Sequence, residues 1–206
     1  VPAEMVKGVF VPLFKNKGSK DDMSKYRFVC LLSHVYKMLA ATVLLQVAKE
    51  TDGFLPDSQA GFRADRGCRE NCFILATLID FFLEEGNTLV LTYLDYAAAF
   101  DTVSHKFQDQ ALGIAGASAK SRSMVRAIYS SATAVVRVRP TNGDPDVLSR
   151  SFPINRGALQ GCLLSPRLFI VAAAVIMDCH DREGGGAQLR EALIRRLEYA
   201  DDACLV

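Results

Sequence analysis

Residues 197–206 read LEYADDACLV, and two adjacent aspartates, Asp201 and Asp202, interrupt an otherwise apolar run. Leu197, Tyr199, Ala203, Leu205 and Val206 are residues that a sheet buries. Neighbouring carboxylates repel each other. The pattern predicts two strands joined by an acidic turn, and ordinary turn chemistry alone could account for the pair. A third acid changes the weighting. Asp95 closes the run VLTYLD at 90–95, a second predicted strand, read as buried. If the two strands are neighbours in one sheet, three carboxylates converge, and they cannot all stay ionised without a counter-charge. Oxygen-only ligands favour Mg²⁺, with Mn²⁺ as a substitute. Two such ions about 4 Å apart activate an attacking hydroxyl and stabilise a leaving phosphate oxygen.

Outward from these strands, the chain alternates strand and helix patterns. VFVPLF at 9–14 reads as a strand entering a basic loop. A helix follows, with Ser33 as N-cap and apolar positions at Val35, Leu39, Val43, Leu44 and Val47. After a Gly/Pro/Asp-rich loop, residues 69–85 return to helical spacing through Phe73, Leu75, Ala76, Ile79 and Phe82, ending at Gly86 and Asn87. Residues 106–132 are predicted helical with a break at 113–116. AVVRVRP, TNGDPD and VLSRSFPI, over 134–154, predict a β-hairpin. Ser165 is a candidate N-cap with Pro166 at the first helical position. The predicted class is mixed α/β (α+β), an antiparallel-rich sheet backed by helices.

Half of the 206 residues are hydrophobic, ample for a sizeable core. The longest apolar run, 168–177, is too short to span a bilayer, and the start lacks the layout of a signal peptide. An intracellular, non-secreted protein with no membrane partner is expected. Without an initiator Met, and stopping just past the acidic pair, the sequence reads as a segment of a longer protein. The six cysteines form no CxxC pair and no Cys/His zinc spacing. Net charge is only +1, but its distribution is uneven: 2 basic and 6 acidic side chains over 73–120, against 11 and 8 before and 11 and 9 after. An anionic metal centre between phosphate-contacting arms fits this pattern, as does ordinary surface scatter.

LDYAAAFDTV (94–103), GALQGCLLSP (157–166) and YADD (199–202) resemble, in this chain order, the motifs of reverse transcriptases, most closely those of non-LTR (LINE-type) retrotransposons and their group II intron relatives. Residues 13–40 and QAGFRADRGCRENC (59–72) are similar to the fingers motifs of that family. The resemblance implies a right-hand polymerase, with fingers over 1–88, palm over 89–206 and the thumb absent. It implies an RNA-directed DNA polymerase acting on an RNA template, a DNA primer and deoxynucleoside triphosphates, with weak processivity from this segment alone. By position, Asp95, Asp201 and Asp202 match the metal ligands and catalytic acids. Tyr96 matches a backbone carbonyl facing a metal, and Phe100 an aromatic under the incoming sugar that excludes a 2′-hydroxyl. Gln160 and Gly161 match the segment against the nucleotide and template base. Arg27, and more weakly Lys15, match triphosphate contacts, and Arg63 and Arg66 template contacts. Asp101 matches a brace of the turn after the strand. Phe28, Leu163 and the run AAAF depart from the family pattern, and none of these removes a metal ligand. Two alternatives stand beside this reading: an RNA-dependent RNA polymerase, which Phe100 argues against, and a folded, inactive nucleic-acid-binding remnant, which the intact acids argue against.

Overall fold

The computed structural model describes residues 1–96, 98–140, 144–182 and 184–206, apart from the side chains of Ala3 and His180. Strand β1 (Lys7–Phe14) pairs antiparallel with β2 (Tyr26–Leu31) and, over Lys7–Phe10, parallel with β4 (Thr133–Val138). Pro12 lies past the end of the β1–β4 ladder, where its missing N–H costs that ladder nothing. The predicted hairpin is present: β5 (Val147–Leu148) and β6 (Phe152–Pro153) both return antiparallel to β4. Its tip, residues 141–143, lies outside the described residues. A second sheet runs β3 (Thr92–Leu94), β10 (Asp202–Leu205), β9 (Arg196–Tyr199), wholly antiparallel. A small hairpin, β7 (Ala187–Leu189) with β8 (Ala192–Ile194), precedes β9.

Four helices supply most of the core: α1 (His34–Thr51), α4 (His105–Ile114), α5 (Ala119–Ser130) and α6 (Ser165–Arg182). Serine starts the first three. The hydroxyls of Ser33, Ser104 and Ser118 accept from the N–H groups of Tyr36, Phe107 and Ser121, each satisfying an orphan donor. The α4–α5 break falls at 115–118, two residues later than expected, with Gly113 still inside α4 and Gly116 in the break. Helix α6 is apolar nearly all round, and Leu168 to Ala174 are all buried, which is the placement such a helix requires. It begins at Ser165 itself, one residue earlier than predicted, and the Ser165 hydroxyl meets Tyr129 Oη at 3.3 Å. Among the described residues no helix is long and apolar enough to cross a membrane.

Three expectations need correction. Val35 is exposed: α1 buries Tyr36, Ala40, Val43 and Val47, so the expected Val43 and Val47 face the core while Leu39 and Leu44 are half-buried and Val35 falls outside the stripe. Helix α2 (Cys68–Glu84) buries only Asn71 and Leu78, and Phe73 is 72% exposed. Strand β3 is a three-residue edge strand with Thr92 and Tyr93 exposed, not a buried strand over 90–95.

Candidate active site

The turn between β9 and β10 has two residues, Ala200 and Asp201, since Tyr199 pairs with Asp202. Ala200 has φ +58°, a left-handed conformation that costs an L-residue about 1–2 kcal/mol. Strand β3 pairs Leu94 with Ala203, so one further step of the same register sets Asp95 beside Asp202. Both line one cleft of about 450 Å³, with Tyr93, Leu197 and Tyr199. Asp95 and Asp202 are exposed and Asp201 is half-buried. Among the described residues none of the three carboxylates forms a salt bridge or side-chain hydrogen bond.

What holds the turn was not anticipated from the sequence. Gln59 is fully buried. Its Oε1 accepts from the N–H groups of Ala200 and Gly61, both at 2.9 Å, and its Nε2 donates to the Ala200 carbonyl at 3.3 Å. The loop backbone adds bonds between Ser58, Ala60 and Glu198, and Asn71 Nδ2 donates to the Glu198 carbonyl at 2.8 Å. A Cβ on Gly61 would lie 2.3 Å from Ala200 N, so only glycine lets the loop approach this closely. Beneath, Arg196 and Glu198 form a buried pair, Nε to Oε2 at 2.8 Å. Arg196 also donates to the Met177 carbonyl and bridges to Asp181. A charged i, i+2 pair inside the apolar run of β9 was the available signal for this pair. The lone amide of Gln59 in a loop gave a weaker one.

A second cavity, about 190 Å³, is lined by Phe100, Leu159, Gln160, Gly161, Ser165 and Pro166. The predicted sugar-facing and base-facing residues therefore meet, and the helix-starting pair Ser165 and Pro166 lines the same space. Phe100 stacks on Phe169 at 4.4 Å between centroids and meets Phe62 edge-on, which fixes its ring. Gly161, at φ +113°, also lets the loop run close to β2: a Cβ there would lie 2.4 Å from the Cys30 carbonyl oxygen. Cys30 N–H donates to the Gln160 carbonyl at 2.7 Å, so β2 clamps the loop. Cys162 Sγ, 3.0 Å from the buried Tyr36 hydroxyl, anchors it below.

The remaining candidates separate. Arg27 is exposed on β2, opposite Leu13, and among the described residues its guanidinium has no bonded partner. Lys15 Nζ donates to the Ser24 carbonyl. Burial pushes the Asp101 carboxyl up, and the nearby Lys15 charge opposes it, which puts Lys15 on the Phe100 side of the molecule. Tyr96 turns its hydroxyl to Met177 Sδ at 3.4 Å. Arg63 is committed within its own loop: its side chain is 7% exposed, donates to the Pro56 and Gln59 carbonyls and pairs with Asp52. Arg66 chelates Asp57 through its carboxylate and carbonyl. Neither guanidinium is held out for a template.

The donor chemistry fits divalent cations: three carboxylates at one end of the sheet, unmatched by any bonded cation among the described residues. Among the described residues they do not close into a preformed group of three around one point. An open edge is what Mg²⁺ uses, since it keeps waters and takes one or two carboxylates plus substrate phosphates.

The family model described as "Reverse transcriptase (RNA-dependent DNA polymerase)" matches residues 15–206. The Xenopus laevis "Transposon TX1 uncharacterized 149 kDa protein" is 26% identical over 196 residues, 94% of this chain and 14% of that protein. The "Retrovirus-related Pol polyprotein from type-1 retrotransposable element R2" of Popillia japonica is 28% identical over 195 residues, 94% of this chain and 26% of that protein. The chain thus spans about a quarter or less of these relatives. Telomerase from Candida tropicalis, truncated from its C-terminal domain, superposes with a TM-score of 0.59 at 14% identity, covering 99% of this chain and 44% of that one. Candida albicans telomerase with a fragment of telomeric RNA gives 0.56 at 12%, covering 98% and 38%. These structures share the fold.

Proposed function

The chain belongs to the reverse transcriptase (RNA-dependent DNA polymerase) family, and from that premise we propose that it carries the catalytic centre of an RNA-directed DNA polymerase of a non-LTR retroelement. In the proposed reaction a primer 3′-hydroxyl attacks the α-phosphate of a deoxynucleoside triphosphate on an RNA template, and pyrophosphate leaves. The observation that carries this reading is the register that brings Asp95 beside Asp202, at an edge where, among the described residues, the three carboxylates have no bonded cation.

Asp95, Asp201 and Asp202 would hold two Mg²⁺ ions, or Mn²⁺ in their place, which supply a lowered hydroxyl pKa and charge neutralisation at the phosphate. The chain's own groups position the reactants. Phe100, braced by Phe169, forms the floor on which a sugar sits, and its bulk meets a 2′-hydroxyl. Gln160 offers an amide beside it. Arg27, the unbonded guanidinium of β2, suits the triphosphate. Lys15 is a weaker partner for the same anion. Tyr96 contributes its backbone carbonyl at the end of β3. For the template, Arg63 and Arg66 act indirectly, by shaping the loop that carries Phe62. The fingers are best drawn as discontinuous, residues 7–31 with 133–153, because β1 and β2 share a sheet with β4, β5 and β6 across the boundary expected at 88/89.

Single-nucleotide incorporation on an RNA template tests this reading, since it needs no processive grip. Incorporation of dNTP but not rNTP is expected. Phe100→Val should raise rNTP use by roughly 10²-fold. Equal use of both nucleotides by the unaltered chain would remove the deoxynucleotide assignment, and the absence of any incorporation would remove the polymerase.

A further inference from the structure

Two thiols outside the proposed chemistry sit at the lip of the acidic cleft. Cys68 and Cys72 are four residues apart on α2, hence on one helix face, and both are exposed. Their sulfur atoms are 3.6 Å apart. Cys72 also lines the 450 Å³ cleft, together with Leu75, Tyr93, Leu197, Tyr199 and Asp202. A soft, thiophilic centre anchored on this pair would therefore carry any apolar substituent into a ready-made apolar space. We propose that Cys68 and Cys72 form a dithiol binding site for aryl arsenoxides, with arsenic bridging the two sulfur atoms and the aryl ring in the cleft beside Asp202.

The condensation balances without a redox partner. One As=O and two S–H bonds are consumed, two As–S bonds form, and one water carries away both protons and the oxygen. Arsenic stays trivalent. Geometry favours this over a disulfide, which would have to bring the sulfur atoms to about 2.05 Å. That contraction would tighten the first turns of α2, where Asn71, between the two cysteines, is bonded to the Glu198 carbonyl. A bridging atom leaves the sulfur atoms near their present separation. The other four cysteines offer no such pair: Cys30, Cys162 and Cys204 are buried, and Cys179, exposed on α6, does not line the cleft.

Intact-mass spectrometry of the chain with phenylarsine oxide tests the site without reference to activity. One adduct per chain is expected, less one water, blocking two of the six thiols. The adduct should be removed by 2,3-dimercaptopropanol and resist an equal concentration of monothiol. Cys68→Ser and Cys72→Ser should each lower retention by roughly 10²-fold or more, because the second attachment becomes intermolecular. Cys179→Ser should change nothing. A stoichiometric adduct that survives in Cys68→Ser or Cys72→Ser, or no adduct on the unaltered chain, overturns the proposal. Leu75→Trp, which fills the cleft and leaves both thiols, separates the ring's role from the arsenic's: it should weaken phenylarsine oxide more than inorganic arsenite, and equal weakening would contradict ring placement. Inhibition of nucleotide incorporation is a further expectation that rests on the polymerase reading, and the mass measurement stands whether or not that reading holds.

Discussion

At the residue scale, the acidic turn depends on one amide. Gln59 satisfies two buried N–H groups and one carbonyl around Ala200, whose left-handed backbone sets where Asp201 and Asp202 emerge. Gln59→Ala leaves those groups unpaired, and each buried orphan costs about 1–3 kcal/mol. A loss of about 2–4 kcal/mol in urea unfolding is expected, with faster amide exchange concentrated at 200–202. A uniform rise in exchange would contradict a local role. Gly161→Ala should also destabilise, by about 1–3 kcal/mol, through its positive φ and its contact with the Cys30 carbonyl. That Asp95 meets Asp202, and that Phe100 and Gln160 line one cavity, was legible in the sequence because the motifs carrying them have fixed spacing. Gln59 was not, because a polar residue in a Gly-rich loop looks solvated until the strand it bonds to is placed beside it. Arg63 and Arg66 show the reverse: basic loop residues looked available, yet carbonyls and carboxylates of the same loop hold them.

At the element scale, local signals placed most boundaries. The Ser33 cap, a break within two residues of that expected, and the β4–β5 return follow from side-chain chemistry that acts within a few residues. The buried faces of α1 and α2 were less legible, since they depend on which neighbours arrive. Helix α2 exposes apolar residues that its spacing alone would have buried. The buried pair of β9 gives a second test. Arg196→Met strands Glu198 and should cost about 3–5 kcal/mol, whereas Arg196→Met with Glu198→Leu should recover much of it. Equal losses in both variants would show that the pair's charges do not depend on one another. Helix α5 adds a pH dependence. The Gln46 amide, followed by the Ser118 N–H, holds the Glu50 carboxyl at about 2. The unfolded chain takes up this proton at higher pH than the folded one, so the contribution is complete above about pH 4.5 and fades as pH falls toward 2. Glu50→Gln should therefore flatten the acid limb of the melting temperature against pH, and an unchanged limb would remove the assignment.

At the scale of the whole molecule, a five-stranded and a three-stranded sheet are tied together by helices that share one core, with the catalytic acids on the three-stranded sheet and its β9–β10 turn. Composition and alternation gave the class, but not the division of labour. Strand β1 pairs with β4 more than a hundred residues later, and no local pattern announces such a partner. The central claim is that Asp95 and the β9–β10 turn act as one cation-binding edge. Manganese binding followed by electron paramagnetic resonance, with a deoxynucleoside triphosphate present, tests it most directly. The account predicts uptake by the unaltered chain, weakened at least roughly tenfold in both Asp95→Asn and Asp201→Asn. Undiminished uptake in Asp95→Asn would contradict it.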